Sequence, residues 1–187
     1  MTALPTKRLL LIPLWREIVA TRIERDDFTV PTPVGTGTVH VGPEWPGDVL
    51  PFFPNLVGSL GDGPFCNYAA VMPGVNEAPG EVVGMLGTKG GVDEHGAVEV
   101  GYGFNASFEG RGYATEAVGA LVRSLLTHPD VRTVTAETAV DNLASQRVLE
   151  KNGFVRTGVG SNDDDGDLVL WATSGEPNQV GTSLTTR

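Results

Sequence analysis

The chain has 187 residues, of which 40% are hydrophobic and 19% charged, and it carries a formal net charge of −10. This length predicts one domain that buries a core of its own without needing disulfides or metals. The acidity argues against nucleic acid as a partner, because proteins that bind phosphate backbones carry basic surfaces. It suits a cationic partner such as an amine, and equally it suits plain solubility.

The N-terminal apolar run, residues 9–15, predicts a first strand. It is too short to span a membrane, Pro13 interrupts it, and no small-residue cleavage site follows, so we expect neither a membrane segment nor a signal peptide. Cys66 is the only cysteine, which excludes an intrachain disulfide and fits a cytoplasmic location. We expect Cys66 to be a small buried side chain in a strand, not a nucleophile.

The first third of the chain predicts a short helix over Trp15–Arg25 and then a loop. The segment Pro31–Gly63 is crowded with proline and glycine, which disfavours long helices, although short helical turns fit near Asp48–Phe53. Loops carry variable recognition surfaces, so this segment is a candidate wall for the substrate.

The middle of the chain predicts an antiparallel meander followed by an amphipathic helix. Three strands with short links are predicted over Phe65–Met72, Glu81–Thr88 and Ala97–Phe104. From Tyr113 to Leu126 the apolar residues recur at intervals of three and four, which indicates a helix with one buried face.

The last third predicts a strand, a second helix and two more strands. The strand covers Val131–Thr138, Asp141 or Asn142 caps the helix, and Asn152-Gly153 ends it. The final strands are Phe154–Val159 and Leu168–Trp171, joined by an acidic turn over Ser161–Asp167. We therefore expect one α/β (α+β) domain over residues 1–174 and a disordered tail over 175–187.

The link between the third strand and the amphipathic helix is the segment that carries chemistry. The first turn of a helix presents free N–H groups and a partial positive charge, which suits a phosphate. Gly110, Gly112 and Ala114 let an anion approach the backbone, and Arg111 adds a cation. No Walker A loop is present, and the sequence Gly-x-Gly-x-x-Ala at 101–106 stands in the wrong context for a dinucleotide fingerprint.

Two segments resemble one known family. The run 109–117, Glu-Gly-Arg-Gly-Tyr-Ala-Thr-Glu-Ala, resembles the acetyl-CoA pyrophosphate loop of the GNAT superfamily, in the wording of its RimJ/RimL-like branch of ribosomal-protein N-acetyltransferases. The run 142–154 is similar to that branch's Asn-x-x-Ser…Leu-Glu-Lys-x-Gly-Phe segment. The resemblance is close over 81–171. It implies a GNAT fold, with a mixed, mainly antiparallel sheet that splays at the acyl-CoA site and is flanked by helices.

The resemblance implies an N-acetyltransferase that uses acetyl-CoA and no covalent enzyme intermediate. The acceptor stays open between a protein N-terminus, an aminoglycoside, a polyamine and another small amine. The alternative from another class is a non-catalytic acyl-CoA-binding or sensor module, and the joint presence of Ser145 and Glu99 favours an enzyme. A homodimer is compatible with the sequence, which does not fix the oligomeric state.

The resemblance also implies site residues. Acetyl-CoA is expected against Gly103, Phe104, Asn105, Arg111, Gly112, Tyr113, Ala114, Thr115, Asn142 and Ser145. The amides of 111–115 would cradle the pyrophosphate, the pantetheine would pair between the strands ending at 104 and 138, and an amide within 103–105 would face the thioester carbonyl. The chain departs from most relatives at Glu109, where they carry Gln or Arg.

A second departure concerns the proton donor to the leaving thiolate. Many GNAT enzymes place a tyrosine where this chain has Leu149, so Ser145 is the replacement candidate. Glu99 is either the general base or a structural carboxylate. If it is not the base, the candidates are Glu137 and the loop 43–54. The three histidines lack metal-ligand spacing, so no metal is expected.

Overall fold

Ten strands form one sheet in the part of the chain that the computed structural model describes, residues 2–60, 65–76, 78–162 and 166–174. The main path runs in the order β1-β2-β5-β6-β7-β8-β10-β9, and the hairpin β3–β4 joins it at β6. All described pairings are antiparallel except β4–β6 and β7–β8. The strands are β1 Leu4–Pro5, β2 Leu10–Pro13, β3 Phe28–Pro31, β4 Thr38–Val41, β5 Asn67–Met72, β6 Gly80–Thr88, β7 Ala97–Phe104, β8 Thr133–Ala139, β9 Val155–Asn162 and β10 Gly166–Ser174.

Helices cover both faces of this sheet. They are α1 Arg16–Glu24, α2 Phe53–Ser59, α3 Tyr113–Leu126 and α4 Leu143–Lys151, with 3₁₀ turns at Gly47–Phe52 and Ala106–Phe108. One hydrophobic core lies between the sheet and α3 and α4, and a second lies between the sheet, α1, α2 and the β3–β4 hairpin. None of the described helices has the length and apolar composition needed to cross a bilayer.

The predicted fold class is confirmed, and the elements that carry the family motifs lie where they were expected. The meander β5–β6–β7 is antiparallel, and the third of its strands has the predicted bounds. Helix α3 covers Tyr113–Leu126, because its buried side chains repeat at helical spacing on one face. Asn142 is the N-cap of α4, and its side-chain oxygen accepts a hydrogen bond from the Ser145 amide.

The prediction of a loop after α1 is wrong over β3 and β4. Phe28 and Val30 alternate with exposed residues, and Val39 and Val41 do the same on the paired strand, so the hairpin buries one face. The helical turns expected near Asp48–Phe53 extend through α2 to residue 59. A tertiary contact stabilises this longer helical segment, because the ring of Phe53 packs edge-on against buried Trp45 at 5.3 Å between centroids.

Two further boundaries differ near the C-terminus. The expected acidic turn at 161–167 is narrower, since 161–162 belong to β9 and 166–167 to β10, which pair with each other. The acidic run 163–165 and the predicted tail 175–187 lie outside the described residues.

Candidate active site

Strands β7 and β8 part from each other halfway along their length. They pair in parallel only at the three positions Ala97–Glu99, opposite Thr133–Thr135. Beyond these, β7 stays with β6 as far as Phe104, while β8 stays with β10 as far as Ala139. The predicted splay is confirmed, and it leaves the facing edges of the two strands without strand partners.

The direction of the β7 amides decides which of them face this wedge. The Lys89 amide donates to the Glu99 carbonyl at 2.8 Å, and the Asn105 amide donates to the Val83 carbonyl at 3.0 Å. Backbone groups alternate in direction along an antiparallel strand, so residues 99, 101, 103 and 105 bond toward β6. The amides of 100, 102 and 104 therefore point into the wedge. Within the expected range 103–105, the amide of Phe104 alone points into the wedge.

A cleft of about 950 Å³ occupies the wedge. It is lined by residues from six parts of the chain: Val100–Phe104 of β7 with the following Asn105, Glu137–Ala139 of β8, Asn142 and Ser145 at the start of α4, Met85, Leu86 and Lys89 in and after β6, Leu168 of β10, and Glu44, Pro46–Val49 and Phe52 of the proline-rich loop. Five of the residues predicted to bind the cofactor line this cleft, namely Gly103, Phe104, Asn105, Asn142 and Ser145. Asn105 also has a structural role, because its buried side-chain amide donates a hydrogen bond to the Val82 carbonyl at 3.0 Å.

The other predicted cofactor residues, Arg111–Thr115, do not line the cleft but form the start of α3. Gly112 is the N-cap residue in the left-handed region at φ 77°, where a side chain would be strained. The first helical bond runs from the Glu116 amide to the Gly112 carbonyl. The amides of 113–115 precede that bond and have no partner within the helix, which leaves them available to an anion.

Arg8 braces this helix start from the N-terminal segment, and sequence reasoning missed it. Its Nε donates to Glu116 Oε2 at 2.7 Å, and one terminal nitrogen donates to the Arg111 carbonyl at 2.9 Å. Its guanidinium also lies 4.5 Å from the centre of the Tyr113 ring. Partial burial favours the neutral form of Glu116, but hydrogen bonds from Thr6 and Arg8 outweigh it and lower the pKa of that carboxyl.

The start of α4 is braced from β7. The Tyr102 hydroxyl donates to the Ser145 carbonyl at 3.0 Å. Burial raises the pKa of the Tyr102 phenol to about 12, and an interaction with the Ser145 side chain only partly opposes this, so the phenol stays a neutral donor. Leu149 is fully buried in the core, which agrees with its inability to serve as an acid.

Glu99 lies on the face of the sheet that also carries Gly101 and Gly103, away from the core that buries Val98 and Val100. Its Oε1 is 2.7 Å from Lys89 Nζ, an ion pair by distance although not an aligned hydrogen bond. Lys89 lines the cleft and Glu99 does not. The negative charge of this candidate base is thus offset by a neighbour that the sequence pattern did not reveal.

Three other carboxylates are exposed along the cleft: Glu44, Asp48 and Glu137. Glu44 Oε2 accepts hydrogen bonds from the Ser107 amide at 3.1 Å and from the Ser107 hydroxyl at 2.9 Å. Negative charge at a cleft wall attracts a cationic ligand. Within the described ranges, no group of three or more His, Cys, Asp or Glu side chains is arranged to hold a metal ion.

Residues 58–155, just over half of the chain, match the model of the acetyltransferase (GNAT) domain. The chain belongs to the GNAT family of acetyltransferases. It is also 35% identical over 117 residues to the uncharacterized N-acetyltransferase YjdG of Bacillus subtilis (strain 168), a match that covers 60% of this chain and 67% of that one. The GNAT domain described above is therefore an acetyltransferase, and the family transfers acetyl groups to amines.

Solved structures share the fold of this GNAT chain at low identity. RimL, a ribosomal alpha-N-protein acetyltransferase in complex with coenzyme A, superposes with a TM-score of 0.65 at 17% identity, over 92% of this chain and 98% of that one. The aminoglycoside acetyltransferase AAC(6')-Ib in complex with ribostamycin and coenzyme A has a TM-score of 0.60 at 20% identity, over 90% and 94%. Proteins of this fold thus bind coenzyme A with acceptors as different as a ribosomal protein and an aminoglycoside.

Proposed function

We propose that this chain transfers the acetyl group of acetyl-CoA to a primary amine by direct attack of the amine nitrogen on the thioester carbonyl. The observation that supports this best is the wedge between β7 and β8. It offers two unpaired strand edges to an extended pantetheine arm, and the carboxylate-lined side of the same cleft is open to an amine.

The residues at the start of α3 would hold the pyrophosphate. The free amides of Tyr113, Ala114 and Thr115 and the partial positive charge of the helix suit an anion. Arg111 is exposed beside them, and its guanidinium lies 5.4 Å from the centre of the Phe108 ring. Glu109 removes the side-chain help that relatives obtain there, so the backbone and the two arginines at positions 8 and 111 would supply most of the attraction.

The chemical step needs three tasks from the protein. The Phe104 amide would donate to the carbonyl oxygen as negative charge develops on it. Ser145, directly or through water, would give a proton to the thiolate as the carbon–sulfur bond breaks. A carboxylate would take the proton that the amine loses, and Glu99, acting directly or through water beside Lys89, is our candidate for this role.

The acceptor we propose is a cationic amine, either a protein N-terminus, as in RimL, or a small molecule, as in AAC(6')-Ib. The exposed acidic residues of the cleft support this class, and the similarity of 142–154 to the RimJ/RimL-like pattern supports placing the chain in that branch. A cytoplasmic location follows from this proposal, because acetyl-CoA and ribosomal proteins are found there.

The test is a screen of acceptors that follows the release of free CoA from acetyl-CoA. Spermidine, ribostamycin and a short peptide with a free N-terminus represent the three acceptor classes. Release above the hydrolysis rate with any of them supports amine acetylation. Acetyl-CoA binding in calorimetry without release for any acceptor would instead assign the chain to the non-catalytic acyl-CoA-binding class.

A further inference from the structure

Glu44 stands in a loop whose backbone is fixed on both sides by one buried arginine. Arg22 of α1 is 7% exposed, and its Nε donates to the Trp45 carbonyl at 2.6 Å while a terminal nitrogen donates to the Pro43 carbonyl at 3.2 Å. Trp45 itself is fully buried, and its indole N–H donates to the Gly84 carbonyl at 3.2 Å. Hydrogen bonds to a charged donor are the strong ones, so the backbone of Glu44 is held firmly at the cleft wall.

The side chain of Glu44 contacts the segment that follows β7. Its Oε2 accepts both hydrogen bonds that Ser107 offers, from the amide and from the hydroxyl. Ser107 lies three residues after Phe104, whose amide faces the wedge. Among the contacts of the described residues, none engages Oε1, so one carboxylate oxygen is anchored and the other keeps its capacity to accept, in a residue that lines the cleft.

The remaining carboxylates of this region differ from Glu44 in a way that matters for an amine. The charge of Glu99 is offset by Lys89 at 2.7 Å. Asp48 and Glu137 line the cleft, but their carboxylates make no hydrogen bond or ion pair with other described residues, so no such contact there holds their side chains in one place. Glu44 is both uncompensated by a cation and pre-positioned, which lowers the entropy lost when it binds a ligand.

We propose that Glu44 binds the ammonium form of the acceptor and positions it in front of the thioester. This inference rests on the proposed amine acetylation. An alkylamine has a pKa of about 10 and a peptide N-terminus one of about 8, so both approach mainly as cations at neutral pH, where an ordered carboxylate both attracts and orients them. The proton is then lost to the base before the nitrogen attacks, so the contribution of Glu44 is made when the acceptor binds.

The decisive variant is Glu44→Gln, which keeps the shape and an oxygen that accepts from Ser107 but removes the charge. Acceptor and acetyl-CoA are each varied against a saturating partner, with spermidine, ribostamycin and the N-terminal peptide as acceptors and CoA release as the signal. We expect the KM for the acceptor to rise about tenfold, the scale of one charge-assisted contact, while the KM for acetyl-CoA stays within twofold. Raising the salt concentration should weaken acceptor binding in the wild type more than in the variant.

Three control variants distinguish acceptor recognition from a purely structural role of the contact between Glu44 and Ser107. Ser107→Ala removes one anchor and leaves the charge, so it should change the acceptor KM far less than Glu44→Gln. Glu17→Gln removes the same charge from an exposed position on α1 outside the cleft and should leave both KM values unchanged. If Glu44→Gln lowers the melting temperature, Glu44→Asp is the variant to measure. It retains the charge, so acceptor binding to it should keep the salt dependence of the wild type.

Each outcome is decisive. An acceptor KM in Glu44→Gln within twofold of the wild type overturns the role of Glu44 while leaving amine acetylation intact. A Ser107→Ala variant as impaired as Glu44→Gln also overturns it, because the clamp alone would then explain the effect. A wild-type protein that releases CoA with none of the three acceptors refutes amine acetylation, and the role of Glu44 falls with it.

Discussion

Replacing Arg8 by methionine removes a brace that joins the N-terminal segment to the start of α3. Methionine keeps the backbone amide that donates to Glu116 Oε1 and an unbranched apolar stem that packs over Tyr113, but its side chain has no group to donate to Glu116 or to the Arg111 carbonyl. We expect the variant to be less stable and to bind acetyl-CoA more weakly, because the same side chain holds the helix start that offers its amides to the pyrophosphate.

The contacts of Arg8 set the size of the effect. Its side chain is 41% exposed, so solvent screening limits the ion pair with Glu116 to about 1 kcal/mol. The hydrogen bond to the Arg111 carbonyl and the cation–π contact with Tyr113 contribute about 0.5–1 kcal/mol each. A sum of about 2 kcal/mol lowers the melting temperature of a domain of this size by about 4–8 °C.

Ligand binding distinguishes this brace from an ordinary surface ion pair. The guanidinium of Arg8 lies beside the helix start, since a Cβ added to Gly112 would be 3.5 Å from one of its terminal nitrogens. We expect about tenfold weaker CoA binding in calorimetry for Arg8→Met, but no change in the rate with S-acetylpantetheine, which lacks the diphosphate. Arg8→Lys should recover part of the affinity, because it restores the charge but on a single nitrogen, without the fork by which Arg8 reaches both Glu116 and the Arg111 carbonyl.

A double-mutant cycle completes the test. Glu116→Gln alone should destabilise the protein, and in its presence Arg8→Met should cost less than in the wild type, since the two side chains share one interaction. An Arg8→Met protein with unchanged melting temperature and unchanged CoA affinity would refute the reasoning about the helix start.

Three further substitutions test the proposed site, and one tests the hairpin. Gly112→Asp places a strained, negatively charged residue at the helix start and should abolish acetyl-CoA binding; unchanged affinity in calorimetry would contradict the assignment. Ser145→Ala should lower turnover about 10²-fold or more at unchanged CoA affinity, and a normal turnover number would remove this hydroxyl from the mechanism. Glu99→Gln should lose turnover together with the acidic limb of the pH profile, whereas a slow variant with a lowered melting temperature indicates a structural ion pair. The hydrogen bond to Glu81 is the main cause that raises the pKa of His40 above its ordinary 6.5, against partial burial. Protonated His40 therefore contributes stability that is fully present below pH 6.5 and is lost as the pH rises through the folded-state pKa. A series of thermal melts across this pH range should show the loss of stability in the wild type and not in His40→Gln.

The parts of the fold that could be predicted are those encoded by local pattern. The helical spacing over 113–126 and the alternation in β7 each reflect one buried face, and neighbouring residues suffice to reveal it. The β3–β4 hairpin was missed because four-residue strands give little alternation, and the prolines and glycines around them indicate loop. Helix α2 was underestimated because its stability comes from the packing of Phe53 on Trp45, a tertiary contact.

In the candidate site, too, the features encoded by local pattern could be predicted and the long-range contacts could not. The helix start at Gly112 and the cap at Asn142 are local devices, and both were predictable from motif and spacing. Arg8 reaches Glu116 across 108 positions, and Glu44 reaches Ser107 across 63. No periodicity connects residues so far apart, so the sequence could point to the loop 43–54 but not to the carboxylate within it.

The difference between predictable and unpredictable parts of the site follows from the two ligands that we propose, acetyl-CoA and the amine acceptor. In the proposed site, the pantetheine and pyrophosphate of acetyl-CoA would be bound largely by backbone amides, whose directions are set by strand alternation and by the helix start, so this binding would depend on few residue identities. In the same proposal, the acceptor would be bound by the carboxylate of Glu44, which Arg22 and Ser107 hold in place. Exchanging these side chains would change the acceptor without disturbing the cofactor. Proteins of one fold can therefore bind coenzyme A alike while one acts on a ribosomal protein and another binds ribostamycin.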